Sequence, residues 1–399
     1  MQEAYYTRQT RLLLDILECM EFQTPDIQPF FALKGGTALN LFVLPFPRLS
    51  VDIDLTYCPL DDRDTAFSAM KKGLQRVEQA LNSRLSGVQC VHKQSSGGDK
   101  LFVSHDGVTV RIEPNGVIRG TVFPTEVRPL CEEAQIFFKK IVSARCLSRA
   151  DLYGGKICAA MDRQHPRDLF DILPLMQAGS LEENVRKAFL VYAISHPRPL
   201  SELLDPRPQP LEQVFKEEFY GITREPVAIE KLEEAREWLI EAVRSGLTMD
   251  ERHFLLSCKA GEPDWSLAGL PSHVPQLPAV RWKLHNIAAL QKQPEKHATS
   301  LAKLESCLFS SHLKIHSSPE PQVQHVIRAG LDPRELEKSM PGEDADKLRE
   351  DLRLAAGNPE AWGVCEDAWK AWGEKHAVGR TRTFPTPEGP KTEIVYDDF

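Results

Sequence analysis

Two short runs hold the side chains best placed for chemistry: Lys34-Gly35-Gly36-Thr37, and Ser50-Val51-Asp52-Ile53-Asp54-Leu55. The second reads as a strand, because apolar residues alternate with carboxylates. Alternation sends every second side chain to one face. Asp52 and Asp54 therefore point together, while Val51, Ile53 and Leu55 point to the core. Two carboxylates on one exposed face repel each other unless a cation lies between them. Hard oxygen ligands suit Mg²⁺, and Mg²⁺ commonly arrives with nucleotide phosphates. The Gly35-Gly36 turn opens a helix, and backbone N–H groups at such a start can hold phosphate.

Metal-held carboxylates usually come with a third. Glu113, in Val110-Arg111-Ile112-Glu113-Pro114-Asn115, sits at the end of a strand expected to neighbour the first. Three carboxylates on adjacent strands can hold two Mg²⁺ ions, which activate an attacking hydroxyl and stabilise pentavalent phosphorus. The plain alternative is an exposed edge residue. Further on, Asp151 to Arg163 reads as a helix made thin by Gly154, Gly155, Ala159 and Ala160. Two glycines inside a helix cost stability and point to close packing. Lys156 and Arg163 are two turns apart on one face, spaced to grip a triphosphate or to form a solvated basic face. Asp168, in Arg167-Asp168-Leu169-Phe170-Asp171, stands in the first turn of the next helix, where a carboxylate also suits the helix dipole. Arg167 and Asp171 have the spacing of a surface ion pair. Ser50 serves a phosphate or closes a turn. Arg48 orients a phosphate or a carboxylate, or lies on the surface. His165 has no partner at zinc-ligand spacing. No Walker A, Rossmann or G-x-S-x-G pattern is present.

The chain has 399 residues and a formal net charge of -8. That length predicts two or three domains, and that charge excludes a nucleic-acid coat basic throughout. Between Arg128 and Arg167, however, eight basic residues face four acidic ones, a local bias that would steer a polyanion. The nine cysteines form no C-x-x-C pair. With no signal-peptide pattern at the start, they read as free thiols of a cytoplasmic protein. No apolar run reaches the ~20 residues of a membrane span.

The elements that must position these groups follow from periodicity. Helices are expected at 5–21, 37–44 and 62–81. Strands are expected at 30–33 and 51–56, with a hairpin of 101–104 and 108–113 across Asp106-Gly107. Helix–strand alternation ends near residue 125. Helices then follow at 149–163, 166–177, 181–195, 211–219, 229–245 and 277–290, with a Pro-rich loop at 196–210 and little pattern at 250–276. Beyond residue 293 the composition turns polar. Short helices fit 297–308, 333–337, 342–355 and 362–376, and the tail from about 379 reads as disordered. The expected division is a helix-and-strand core carrying the carboxylates at 1–125, a mainly helical segment at 126–293, and a helical extension at 294–399.

In this order the motifs resemble the AbiEii/AbiGii nucleotidyltransferase toxin family, within the polymerase-β-like nucleotidyltransferase superfamily. The matching segments are Lys34-Gly35-Gly36-Thr37-Ala38-Leu39, Arg48 to Leu55, Ile112 to Asn115 through Arg119-Gly120, Asp151 to Arg163, Arg167 to Asp171, and Leu277 to Leu284. The resemblance spans roughly 5–293 and does not reach 294–399. It implies an α/β fold: a small mixed sheet with helices, followed by a mainly helical domain. It implies a toxin with an antitoxin encoded nearby, in a toxin–antitoxin or phage-defence pair. It also implies transfer of a nucleoside monophosphate from an NTP, in some members to the tRNA 3′ end, which blocks translation. On that pattern Asp52, Asp54 and Glu113 hold Mg²⁺ or Mn²⁺. Lys34, Gly35, Gly36, Thr37, Ser50, Lys156 and Arg163 hold the nucleotide, and Asp168 assists catalysis or places the acceptor. The sixteen positions from Gly36 to Asp52 agree with the toxin branch rather than with antibiotic-modifying enzymes. Two other readings stand beside it: transfer to a protein or small molecule, and an NTP-binding interaction protein without transfer.

Overall fold

The computed structural model describes residues 2–20, 30–95, 98–309, 380–386 and 389–395. They belong to two compact units, Met1–Phe309 and Ser310–Phe399. The first unit is built on a seven-stranded mixed sheet. It opens with helix α1 (Gln2–Cys19), whose Leu12, Leu13, Leu14, Ile16 and Leu17 are buried. Strand β1 (Phe31–Lys34) leads straight into α2 (Gly35–Ala38), which runs on as a π turn, Leu39–Val43. Strand β2 (Asp52–Tyr57) follows. Helix α3 (Arg63–Arg84) begins on Asp62, whose carboxylate accepts from the backbone N–H of Asp64 and Thr65; this is a side-chain cap for otherwise orphan donors.

Strands β3 (Gln89–Ser95), β4 (Gly98–His105) and β5 (Val108–Asn115) form an antiparallel meander. Asp106 and Gly107 both take positive φ, 48° and 74°, as a two-residue hairpin of the right twist requires. The sheet then continues past residue 125. It takes in β6 (Glu126–Pro129), α4 (Glu132–Phe138) and β7 (Ser143–Cys146), with β7 parallel to β1. The strand order is β3-β4-β5-β2-β1-β7-β6. The last two strands have four residues each, and β6 is largely exposed, so neither carries a long alternating run.

Helices fill the rest of the unit. They are α5 (Arg149–Arg163), α6 (Pro166–Ala178) and α7 (Glu183–Ser195), then α8 (Leu200–Leu204) and α9 (Glu212–Val214), the last running into a π turn, Phe215–Phe219. They continue with α10 (Ile229–Gly246), α11 (Met249–Ala260), α12 (Pro278–Gln291) and α13 (Pro294–Phe309). The small residues of α5 serve packing: a Cβ on Gly154 would lie 2.8 Å from the backbone of Ala188 and Phe189 in α7. Three helices depart from the sequence reading: α4 falls where no helix is expected, and two more occupy stretches read as irregular. Helix α8 sits inside the expected Pro-rich loop, held by buried Leu200, Leu203 and Leu204. Helix α11 occupies the stretch without pattern, and it starts with a capping box formed by Thr248 and Glu251, a signal readable as T-x-x-E. The described cysteines are all free thiols, and no described helix is long and apolar enough to cross a membrane.

A boundary at 293 falls inside the first unit. Helix α13 buries Leu304 and Leu308, and the carbonyl of Leu308 accepts from buried Arg252. A chain ending at Phe309 should therefore keep the fold of this unit. One ending at Gln293 should lose the burial of both leucines, at about 1.5–3 kcal/mol each, and leave Arg252 short of an acceptor. Thermal unfolding of the two truncated chains checks this, and equal midpoints would place α13 outside the folding unit. In the second unit, β8 (Arg380–Thr386) and β9 (Gly389–Val395) pair antiparallel, within the stretch from 379 whose sequence reads as disordered. The β-branched run of Thr381, Thr383, Thr392, Ile394 and Val395 favours strands. The helices expected at 333–337, 342–355 and 362–376 lie outside the described residues.

Candidate active site

Three neighbouring strands bring Lys34, Asp54 and Glu113 into one row. Lys34 stands opposite Asp54 in the β1–β2 register, and Asp54 opposite Glu113 in the β2–β5 register. Asp52 is one pleat repeat back, opposite Arg111. The intervening Ile53, Leu55 and Ile112 are fully buried, whereas Asp52, Asp54, Arg111 and Glu113 are half-buried on the other face. The alternation read from the sequence thus places both β2 carboxylates on the same side.

The Gly-Gly turn closes over this row. Gly35 has φ +69°, and a Cβ there would come 2.7 Å from the carboxylate of Asp54. Any side chain at Gly35 would be strained and would also push against Asp54. A Cβ on Gly36 would collide with the guanidinium of Arg48. Thr37 and Ser50 are buried, and their hydroxyls lie 2.6 Å apart. The Thr37 hydroxyl also donates to the Asp52 carbonyl at 2.5 Å, and Thr10 donates to the Ser50 carbonyl at 2.8 Å. Ser50 and Thr37 therefore fix the start of β2 under the turn. The first-turn N–H groups of α2 have no intrahelical partners, as at any helix start.

Charge in the row is balanced by the protein's own cations. Arg111 reaches Asp52 at 3.3 Å and Glu113 at 3.4 Å, and Lys100 reaches Glu113 at 2.7 Å. Burial pushes the Asp52 carboxyl up; Arg111 offsets part of that, and Asp54 adds to it. Burial pushes the Lys34 ammonium down, with Asp54 and Glu113 opposing. Arg111 was not among the residues expected in the site. Period-two alternation placed it on the face of Glu113, but only the strand register sets it against Asp52.

Behind the row lies a buried ion network. Lys156 is paired with Asp168 at 2.8 Å and with Asp171 at 2.9 Å. Arg48 makes two bonds of 2.7 Å to the Asp171 carboxylate, and Asn40 adds one at 2.9 Å. Arg163 holds Asp168 through Nε at 2.5 Å and Nη2 at 3.1 Å. Burial alone would raise both carboxyls. Lys156 and Arg163 instead hold Asp168 far below the ordinary carboxylate range, and Arg48 and Lys156 hold Asp171 down. Burial also opposes the charge on Lys156, but Asp168 and Asp171 outweigh it and its ammonium stays protonated.

This network revises several expectations. Lys156 and Arg163 do share a face of α5, but they converge on Asp168. Lys156 is 7% exposed, so its charge is spent inside the protein. The Arg163 side chain is 63% exposed, with Asp54 near enough to favour its charge. Arg48 is buried, not a surface residue. Arg167 does not pair with Asp171; it donates to the Glu218 carbonyl at 2.9 Å. The basic bias from 128 to 167 is largely consumed by acids elsewhere. Lys140 pairs with Asp15 and Glu18, Arg128 with Glu126, and Arg149 with Glu182. His165 caps α6 by accepting from the Arg167 N–H at 3.1 Å.

The sequence comparison covers the stretch of chain that holds the carboxylate row, the Gly-Gly turn and the ion network. The family described as "Nucleotidyl transferase AbiEii toxin, Type IV TA system" matches residues 15–286. The chain belongs to this family. It is a nucleotidyltransferase toxin of a type IV toxin–antitoxin system, and the family implies an antitoxin partner. No curated protein matches the chain. Among solved structures it is similar to MenT4, a nucleotidyltransferase toxin from Mycobacterium tuberculosis H37Rv, with 18% identity and a TM-score of 0.48 over 73% of this chain and 94% of that one.

An AbiEii nucleotidyltransferase would use a divalent cation with its NTP, and the site's donors bear on the fit. Among the described residues, no group of three or more His, Cys, Asp or Glu side chains is arranged to hold a metal ion. Asp52 and Asp54 nonetheless supply hard oxygen donors on one half-buried face, the ligand type Mg²⁺ takes. Glu113 is in register with them but is tied to Lys100 and Arg111. Asp52 and Asp54 fit a cation arriving with the triphosphate, whereas Glu113 would first have to leave both Lys100 and Arg111.

Proposed function

We propose that this toxin transfers a nucleoside monophosphate from an NTP to an RNA 3′ end, with tRNA as the acceptor, and thereby blocks translation. The observation that carries the reading is the row of Lys34, Asp54 and Glu113, with Asp52 beside it, beneath the α2 start. On this reading Asp52 and Asp54 would hold Mg²⁺, with Glu113 as a third ligand, and the bound ion would supply charge neutralisation at the triphosphate. The backbone N–H groups of Gly35, Gly36 and Thr37, with Lys34 and exposed Arg163, hold the phosphates. The acceptor hydroxyl attacks the α-phosphorus and gives up its proton to water; its new P–O bond forms as the bond to pyrophosphate breaks, and pyrophosphate leaves. Asp168 is kept ionised by Lys156 and Arg163, so it is a poor proton acceptor. Its part is to fix Arg163 at the phosphate side of the site. Lys156 and Asp171 then act through position.

The test is incubation of the purified protein with each α-labelled NTP and separate pools of total RNA, protein and small metabolites, with Mg²⁺ supplied. Label should enter RNA of tRNA size, from a preferred NTP. Label entering protein or metabolites alone would replace the RNA acceptor. No label in any pool would return the site to nucleotide binding without transfer.

A further inference from the structure

A second cleft lies where β2 ends, away from the carboxylates. It has a volume of about 440 Å³ and is bordered by Arg63, Arg119, Arg281, Trp282 and His285, with Asp61 and Asp62. Two segments of the family resemblance that the transfer chemistry does not use meet here: Arg119-Gly120 and the start of α12. Gly120 has φ +80°, and a Cβ on it would lie 2.5 Å from Leu277 and 2.7 Å from Leu60. Its N–H donates to the Tyr57 carbonyl at 2.8 Å. The strand that carries Asp54 is thus bonded to the cleft, and Tyr57 is about 10 Å along it from Asp54 at the ordinary strand rise.

The lining is chemically lopsided. Trp282 is 62% exposed, unusual for so large an apolar side chain. Its ring is stacked on His285, with centroids 5.7 Å apart and planes at 20°. Arg281 and Arg63 have no ion-pair partner among the described residues; the Arg63 guanidinium lies over the Phe67 ring, 4.5 Å from its centroid, a contact that uses its face and not its N–H groups. Arg119 is 7% exposed, and its Nη1 donates to the carbonyls of Asp61 and Asp62, both at 3.1 Å. Its buried Nε has no partner, and none of its bonds uses Nη2. The acids are already committed: Asp61 accepts from the Tyr57 hydroxyl at 2.5 Å, and Asp62 caps α3. What remains for a ligand is a flat aromatic platform flanked by spare guanidinium donors. That combination suits a base stacked on a ring with its phosphate on arginine, as in single-strand binding.

We propose that this cleft binds an unpaired nucleotide of the acceptor RNA, with the base on Trp282 and the phosphate on Arg281 and Arg63. The assignment rests on the reading of RNA as acceptor, and it adds the place where the strand is held outside the reacting centre. Trp282 is a binding residue here, so its loss should raise the KM for RNA and leave the affinity for NTP unchanged.

The test uses the full chain, a fluorescein-labelled single-stranded RNA oligonucleotide and fluorescence anisotropy without NTP. Trp282→Ala should weaken binding about tenfold, the scale of one lost base stack, and Arg281→Glu should weaken it as well. Trp282→Phe should restore most of the affinity, which a merely structural role of indole would not predict. Wild-type affinity in Trp282→Ala, or no RNA binding by the unsubstituted protein, overturns the proposal. Anisotropy needs no transfer, so the two readings separate. If Trp282→Ala loses RNA but no NTP labels RNA, the cleft stands and the acceptor reading falls.

Discussion

Asp52→Asn and Asp54→Asn should each abolish nucleotide transfer while leaving the folded protein as stable as before, or more so. Both carboxylates project from β2 on the face opposite the buried Ile53 and Leu55, so an isosteric amide disturbs no packing. Losing a carboxylate that holds a divalent cation removes several kcal/mol of transition-state charge stabilisation. About 4 kcal/mol is a loss of roughly a thousandfold in rate. The stability effect has the opposite sign. The folded-state pKa of Asp52 lies above its ordinary value, chiefly from burial, so the folded state holds its proton more tightly than the unfolded chain. Stability without metal then falls as pH rises through the carboxylate range, and Asn removes that penalty. Arg111 limits the gain, since it loses Asp52 as a partner. Label transfer with Mg²⁺ and NTP, run beside thermal unfolding without metal, reads both effects. Unsubstituted transfer rates in either variant would remove these carboxylates from the site.

The residues that sequence exposes and those it hides divide along a physical line. Asp52 and Asp54 were legible because strand alternation is local: two residues apart means one face. The hairpin at Asp106-Gly107 and the helices α5 and α6 were legible for the same reason, since each rests on a turn or a period within a dozen residues. Register is not local. Nothing in the order of residues says that Lys34 stands opposite Asp54, or that Arg111 stands opposite Asp52. The ion network is less legible still. Arg48 and Asp171 are 123 positions apart, and the sequence offered Asp171 a nearer but wrong partner in Arg167. Counting charges between Arg128 and Arg167 failed similarly, because Lys140 takes its counter-ions from α1. The late strands β6 and β7 were missed for being short, and β7 gains its place only by pairing with β1. Helix α11 was readable: Thr248 and Glu251 carry the capping signal, but weak apolar periodicity outweighed it.

Lys156→Ala should be the most destabilising single substitution around the site, while Lys139→Ala should be close to neutral. Lys156 is the only cation that touches both Asp168 and Asp171 among the described residues, and all three side chains are nearly inaccessible. Removing one partner from a buried pair leaves uncompensated charge, at about 3–5 kcal/mol. Arg48 still neutralises Asp171, and Arg163 still holds Asp168, so the lower end of that range is expected. Lys139 is exposed and in the left-handed conformation at the end of α4, with nothing buried to lose. The pH dependence identifies the cause. In the unsubstituted protein both carboxyls have pKa values below their ordinary range. Their contribution to stability is therefore full above that range and is lost as pH falls. In Lys156→Ala part of that contribution is already missing at neutral pH. The gap between the two proteins should accordingly be widest near neutrality and narrow as acid protonates the carboxylates. Chemical denaturation across that pH series measures it. A constant gap would trace the loss to packing of the lysine stem, and no gap would mean that Arg48 and Arg163 alone satisfy both aspartates. Transfer activity, read where the variant is still folded, should fall as well, because Asp168 no longer holds Arg163 on the phosphate side with the same geometry.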